Sequence, residues 1–216
     1  MIETRQETDG VGDPARPRVV AYFTIGTPYE EEAAKLKASL EEWGYAYTIA
    51  GIHHRGSWQE NTQAKAPFCL QMLEEYEGEP LLYLDVDALM MRPPVLLDGG
   101  LDADLAAVRF IHRDELLSGT IWWGNTVQCR RVVRKWIYLN KAHPRRLPGG
   151  KAAWDQRTLD MAIQKVGGLR FCSLPQEYTY IQDLTPRHLD PCPPPVILHT
   201  RGSQRFKKQI DRRRAR

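Results

Sequence analysis

The chain has 216 residues, 42% of them hydrophobic and 26% charged, and a formal net charge of +3. These proportions fit a globular domain of about 100–200 residues and exclude disorder as the main state. No apolar run approaches the ~18–20 uncharged residues of a membrane span, and the polar start lacks the apolar segment of a signal peptide. The reading is therefore an intracellular, cytoplasmic protein. Cys69, Cys129, Cys172 and Cys192 form no Cys-x-x-Cys pair, so free thiols are expected rather than a zinc or redox motif.

Residues 1–17 carry Gly10, Gly12, Pro14 and Pro17 without hydrophobic period and are expected to be a flexible arm. Val19 to Ile25 is a near-continuous β-rich run, as in a strand buried on both faces. Gly26-Thr27-Pro28 breaks it. Ala33, Leu36, Leu40 and Trp43 then share one face of a helix expected over 29–43, ended by Gly44. A second strand over 45–49 completes a parallel, right-handed βαβ unit. A loop with His53, His54 and Trp58 precedes a helix over 63–75 and the strand Leu81 to Leu84, which runs straight into Asp85-Val86-Asp87.

Strands are expected over 108–111 and 120–123, a basic helix over 127–140, and a helix over 152–166 that ends at Gly167-Gly168. Short strands near 170–174 and 196–199 close one α/β domain, residues 18–205, followed by a basic tail, 206–216. Residues 201–216 hold eight basic residues against Asp211 alone, so the rest of the chain is net acidic. A basic tail on an acidic body is a candidate polyanion contact.

A chain with 13 aspartates contains about one Asp-x-Asp pair by chance. Context separates Asp85-Val86-Asp87, at the end of a buried strand where α/β folds bind ligands, from Asp102-Ala103-Asp104, which is read as structural. Two carboxylates there are hard ligands suited to Mg²⁺ or Mn²⁺. Near the C-terminus a strand ends at His199, with Gly202 and Arg205 following at three-residue spacing. A neutral imidazole can ligate a metal, a glycine permits close backbone approach, and a cation can hold a diphosphate.

With these motifs in place, the chain resembles a small GT-A glycosyltransferase of the glycogenin and lipopolysaccharide galactosyltransferase type. The likeness is carried by the segment Ala21 to Tyr29, by Leu82-Tyr83-Leu84-Asp85-Val86-Asp87, by Trp154-Asp155-Gln156 and by His199-x-x-Gly202-x-x-Arg205. Arg205 stands where that type has Lys, and the chain is shorter than most such enzymes. The resemblance implies a Rossmann-like α/β fold with a mixed, mostly parallel sheet flanked by helices. It implies Mn²⁺ (or Mg²⁺) held by Asp85, Asp87 and His199. It implies a nucleotide-sugar donor of UDP-glucose type, contacted by Phe23, Thr24, Thr27, Tyr29, Lys65, Asp85, Gly119 and Arg205. Asp155 would bind sugar hydroxyls and Gln156 would face the anomeric carbon.

Some alternatives stay open. Lys65 reads equally as a helix-surface lysine, and Trp122-Trp123 as a stacking pair or as core. Asp155, Asp114 and Glu115 each fit an inverting base. Arg130, Arg131 and Arg134, with Lys207, Lys208 and Arg212, form a phosphate-backbone footprint. This would suit DNA as acceptor through a hydroxymethylated base, as in phage-type DNA glucosyltransferases. A saccharide, a lipid-linked glycan or a protein side chain is the alternative acceptor, and a non-catalytic nucleic-acid-binding module is the other class of function.

Overall fold

The computed structural model describes residues 4–202, 206 and 207. At its centre lies β2 (Arg18–Thr24), buried beyond its first residue. Its side chains alternate between two cores. Val19, Ala21 and Phe23 pack with Leu36 and Leu40 of α1 (Tyr29–Glu42). Val20 and Tyr22 pack with Phe68 and Met72 of α3 (Lys65–Glu75). The strand is apolar on both faces because helices cover both.

Seven strands form the main sheet in the order β1-β3-β2-β4-β7-β6-β8. The others are β1 (Thr4–Gly10), β3 (Tyr47–Ile52), β4 (Leu81–Leu84), β6 (Leu105–Phe110), β7 (Glu115–Trp123) and β8 (Phe171–Leu174). The β2–β3, β2–β4 and β6–β8 pairs are parallel, whereas β1–β3, β4–β7 and β6–β7 are antiparallel. The sheet is thus mixed and mostly parallel in direction, as expected: β2, β3, β4, β6 and β8 run one way, β1 and β7 the other. The β6–β7 hairpin inserts beside β4, and β1 adds an antiparallel edge. Residues 4–10, assigned to a flexible arm from sequence, are that edge strand. The backbone of β3 offers an unpaired ladder to which even a polar segment can bond.

From β2 the chain crosses by α1 to β3 on one side, then by α2 (Trp58–Gln63) and α3 to β4 on the other. Strand order reverses here, which opens a crevice at the carboxyl ends of β2 and β4. The helix expected over 63–75 is α3, and the loop expected before it holds a further short helix, α2; the two meet at Ala64. Ser57 caps α2, its hydroxyl accepting from the Glu60 N–H in a capping box. α4 (Val127–Ala142) and α5 (Asp155–Lys165) pack on the α3 side. Trp122 and Trp123 are buried in opposite cores, 2% and 0% exposed; the pair is packing, not a sugar platform.

A second, three-stranded sheet was not expected. β10 (Ile197–His199) lies between β5 (Ala88–Met90) and β9 (Tyr180–Ile181). The other Asp-x-Asp pair is structural, as read. Asp104 is buried and accepts from the Arg170 N–H (2.8 Å) and the Thr126 hydroxyl (2.9 Å). Burial alone would raise its pKa, but these donors hold it below the usual carboxylate range. Asp104→Ala should lower the melting temperature by about 5–15 °C through lost charged hydrogen bonds. Unchanged stability would contradict the structural role.

Candidate active site

The crevice is a cleft of about 370 Å³ whose walls include Phe23, Thr24, Tyr29, Lys65, Asp85, Asp87, Gly119, Asp155, Gln156 and His199. Two features of strand pairing assemble it. β5 starts one residue after Asp87, and Ala88 pairs with His199 of β10. That register carries His199 to the Asp85-Val86-Asp87 turn. One ligand atom from each of Asp85, Asp87 and His199 lies within 4.8 Å of the other two. The second feature is a bulge. Ala107 pairs with Ile121 while Val108 pairs with Leu117, so Ser118, Gly119 and Thr120 of β7 have no partners on β6.

All three bulged residues serve the site, as bulges beside functional centres often do. Thr120 Oγ1 is 2.9 Å from His199 Nε2. With Nε2–H donating there, Nδ1 keeps its lone pair and lies 4.0 Å from Asp87 Oδ1. Gly119 accepts the Asp85 N–H at 2.8 Å. A Cβ at Gly119 would sit 2.7 Å from His199 Cε1, so no larger residue fits without moving the ring. Ser118 Oγ donates to Asp155 Oδ2 at 2.8 Å. The signal in the sequence was a small, polar Ser-Gly-Thr triplet inside an apolar strand.

Electrostatically the site turns on Lys65, which is buried and not on the helix surface. Its Nζ lies 2.8 Å from Asp85 Oδ1 and 2.7 Å from Asp155 Oδ2, and donates to the Ser118 carbonyl at 3.1 Å. Burial alone would lower its pKa, but the Asp155 and Asp85 carboxylates outweigh it and hold Lys65 charged. Tyr83 donates to Asp85 Oδ1 at 2.9 Å. Among the described residues Asp87 has no cationic partner of this kind. Burial and the neighbouring Asp85 push its carboxyl up to about 6, against the Gly202 N–H, which donates to Oδ2 at 2.6 Å. Burial lowers His199 to about 4, with Lys65 adding to it against Asp85. The imidazole is therefore neutral at physiological pH, the form that ligates metals.

Gly202 reaches Asp87 because Arg201 takes a left-handed conformation, φ 59°, uncommon for a residue with a side chain. A Cβ at Gly202 would stand 3.1 Å from Asp87 Oδ2 and 3.2 Å from Tyr29. Arg201 lines the cleft. Gln156 Nε2 donates to Glu115 Oε1 at 2.7 Å, which ties its amide to the cleft wall. Of the possible bases, Glu115 and Asp155 line the cleft, whereas Asp114 is exposed and outside it. Thr27 does not line it; its hydroxyl donates to the Thr24 carbonyl at 2.6 Å and shapes the turn into α1.

Tyr22, Trp58, Asn61, Trp154 and Thr179 also line the cleft but had no role assigned from sequence. Asn61 Nδ2 and Thr179 Oγ1 are buried without a hydrogen-bond partner, unusual in a finished interior. Phe206 meets Tyr29 edge-on at 5.4 Å, and Lys207 lies 4.5 Å over Trp58, so the chain beyond β10 returns to the cleft. Arg205, Lys208 and Arg212 lie outside the described residues.

Lys65→Met should leave the buried Asp155 carboxylate without its cation and take one from the partly exposed Asp85, lowering the melting temperature by roughly 10 °C. Unchanged stability would contradict the ion triad.

No protein-family model and no curated protein matches the chain by sequence. Solved structures do match by fold. A glycosyltransferase involved in the glycosylation of the major capsid of PBCV-1 aligns with TM-score 0.65 at 12% identity, over 92% of this chain and 98% of that one. The glycosyltransferase GlyE of Streptococcus pneumoniae TIGR4 aligns with TM-score 0.59 at 18% identity, over 85% of this chain and 54% of that one. An active-site mutant of LgtC aligns with TM-score 0.57 at 12% identity, over 89% and 94%. The chain thus has the mixed α/β fold of the GT-A glycosyltransferases.

Proposed function

We propose that the protein is a metal-dependent glycosyltransferase that moves a hexose from a nucleotide diphosphate sugar, of UDP-glucose type, to a hydroxyl acceptor. The observation that carries this reading is the Asp85–Asp87–His199 cluster, its ligand atoms within 4.8 Å of one another, at the sheet edge where α/β folds bind ligands. Two carboxylates and a neutral imidazole suit Mn²⁺ or Mg²⁺. The raised Asp87 carboxyl marks negative charge that the described residues compensate only in part. A divalent ion held there supplies charge neutralisation for a departing diphosphate.

The chain's own residues support the remaining tasks. Phe23, Thr24 and Tyr29 line the end of the cleft formed by β2 and α1 and receive the base. Lys65 is a fixed, desolvated cation between the acids, and Arg201 adds a second positive charge to the cleft wall. Asp155, oriented by Ser118 and Lys65, accepts from sugar hydroxyls. Gln156, restrained by Glu115, lies beside it toward the anomeric carbon.

Calorimetric titration of UDP with and without Mn²⁺ tests this reading. Wild type should bind UDP in a metal-dependent manner, and Asp87→Ala should lose about 100-fold or more in that affinity while remaining folded. Unchanged affinity would overturn the site. Mn²⁺ affinity should also fall as pH drops through about 6, where a proton competes for Asp87, while His199, at about 4, stays neutral. A flat profile from pH 5 to 7.5 would contradict Asp87 as a ligand.

For the acceptor, a hydroxymethylated base in DNA draws on the basic face of α4. Arg130 pairs with Glu77 at 3.1 Å and Arg134 with Glu74 at 3.4 Å, which reduces what both offer a phosphate backbone. The balance favours a saccharide.

A further inference from the structure

We propose that the mouth of the cleft holds an acceptor subsite, formed by Trp154 and the hairpin 144–153, that selects a saccharide bearing an anionic group. This inference rests on the glycosyl-transfer reading above. Trp154 is 38% exposed, lines the cleft and directly precedes Asp155 and Gln156. The Arg157 guanidinium lies 4.4 Å from its ring centroid and covers one face, so the ring offers the cleft its other face and its edge. An aromatic face with a cation behind it is a stacking surface for the apolar face of a pyranose.

The hairpin is fixed at this rim. It closes through the Arg146–Ala152 bridge and the Leu147 N–H to Lys151 carbonyl bond of 2.8 Å. Two side chains of α2 hold its backbone. Gln59 Nε2 donates to the Pro144 and Ala153 carbonyls at 3.0 and 3.1 Å, and Gln63 Nε2 donates to Pro144 at 3.1 Å. The same short helix contributes Trp58, Asn61 and Thr62 to the cleft wall. The hairpin's position relative to the cleft is therefore set by hydrogen bonds on both of its strands.

Its charge is one-sided. No acid occurs from Lys141 to Trp154. Arg146 donates to the Gly150 carbonyl at 2.8 Å, whereas Arg145 and Lys151 are exposed and meet no carboxylate among the described residues. Two exposed cations on the hairpin that leads into Trp154 match a sugar carrying phosphate, sulfate or carboxylate. A nucleic acid would need a longer basic track, and two of the α4 arginines that would extend it are engaged by Glu74 and Glu77.

An array of neutral oligosaccharides and their phosphate- or sulfate-bearing counterparts, probed with Mn²⁺ and UDP present, tests the subsite. Wild type should retain the anionic forms about tenfold better than the neutral ones, the order expected of two exposed charge contacts. The double variant Arg145→Glu/Lys151→Glu should abolish that preference. Trp154→Ala should weaken all saccharides about tenfold, with Trp154→Phe recovering most of the loss. UDP affinity, measured separately by calorimetry, should stay within about twofold in the Arg145→Glu/Lys151→Glu variant, since neither residue is part of the cleft wall that holds the metal ligands. A preference that survives charge reversal, retention indifferent to Trp154, or no saccharide retained by wild type would overturn the subsite. Tighter binding of a hydroxymethylated DNA duplex than of any saccharide would overturn it in favour of nucleic acid. Absence of UDP binding in wild type would instead sink the transfer reading itself.

Discussion

The register between β10 and β5 is the constraint on which the rest of the site depends. His199 stands opposite Ala88, immediately beyond Asp87, and the Gly202 N–H then closes on the Asp87 carboxylate at 2.6 Å. A slip of one residue would turn His199 to the other face of that small sheet and scatter the cluster. The bulge in β7 fixes the same ring from behind, through the Thr120 hydroxyl and the absence of a side chain at Gly119. Three distant segments of chain are thus locked around one point by backbone pairing, which is more rigid than any arrangement of loop side chains.

Charge is distributed around that point unequally. Buried Lys65 bridges Asp85 and Asp155, while Asp87 keeps a carboxyl pushed up to about 6 by burial and by Asp85. Neutral His199 does nothing to relieve it. Such a site is less stable empty than it would be with a cation, and strain of this kind concentrates where proteins bind charged ligands. Lys65 ties two parts of the cleft together, because its ammonium holds Asp155, beside Gln156, and Asp85, beside Asp87, at once.

Much of this was legible locally. The run from Val19 to Ile25, the acids that end β4 and the Trp154-Asp155-Gln156 helix start each announce themselves within a few residues of sequence. What was not legible depends on partners far along the chain. β1, β5 and β9 are short or polar and become strands only because another strand offers its edge. Lys65 looked equally like a surface lysine because the break at Ala64, which turns it inward at the start of α3, is marked only by Pro67 in the first turn and by no glycine or polar cap. The bulge could not be read, since it is a property of two strands. The tryptophan pair could not be assigned from aromatic content alone; its alternating burial follows from β7 lying inside the sheet.

Asp85, Asp87 and His199 stand together as one proposed metal-binding cluster in the cleft. The most direct measurement is anomalous diffraction at the manganese edge from crystals soaked with Mn²⁺ and UDP. A single strong peak bonded to oxygens of Asp85 and Asp87 and to His199 Nδ1, with the diphosphate completing its shell, is the predicted result. A peak elsewhere, or UDP bound in the cleft with no metal at these three residues, would contradict it.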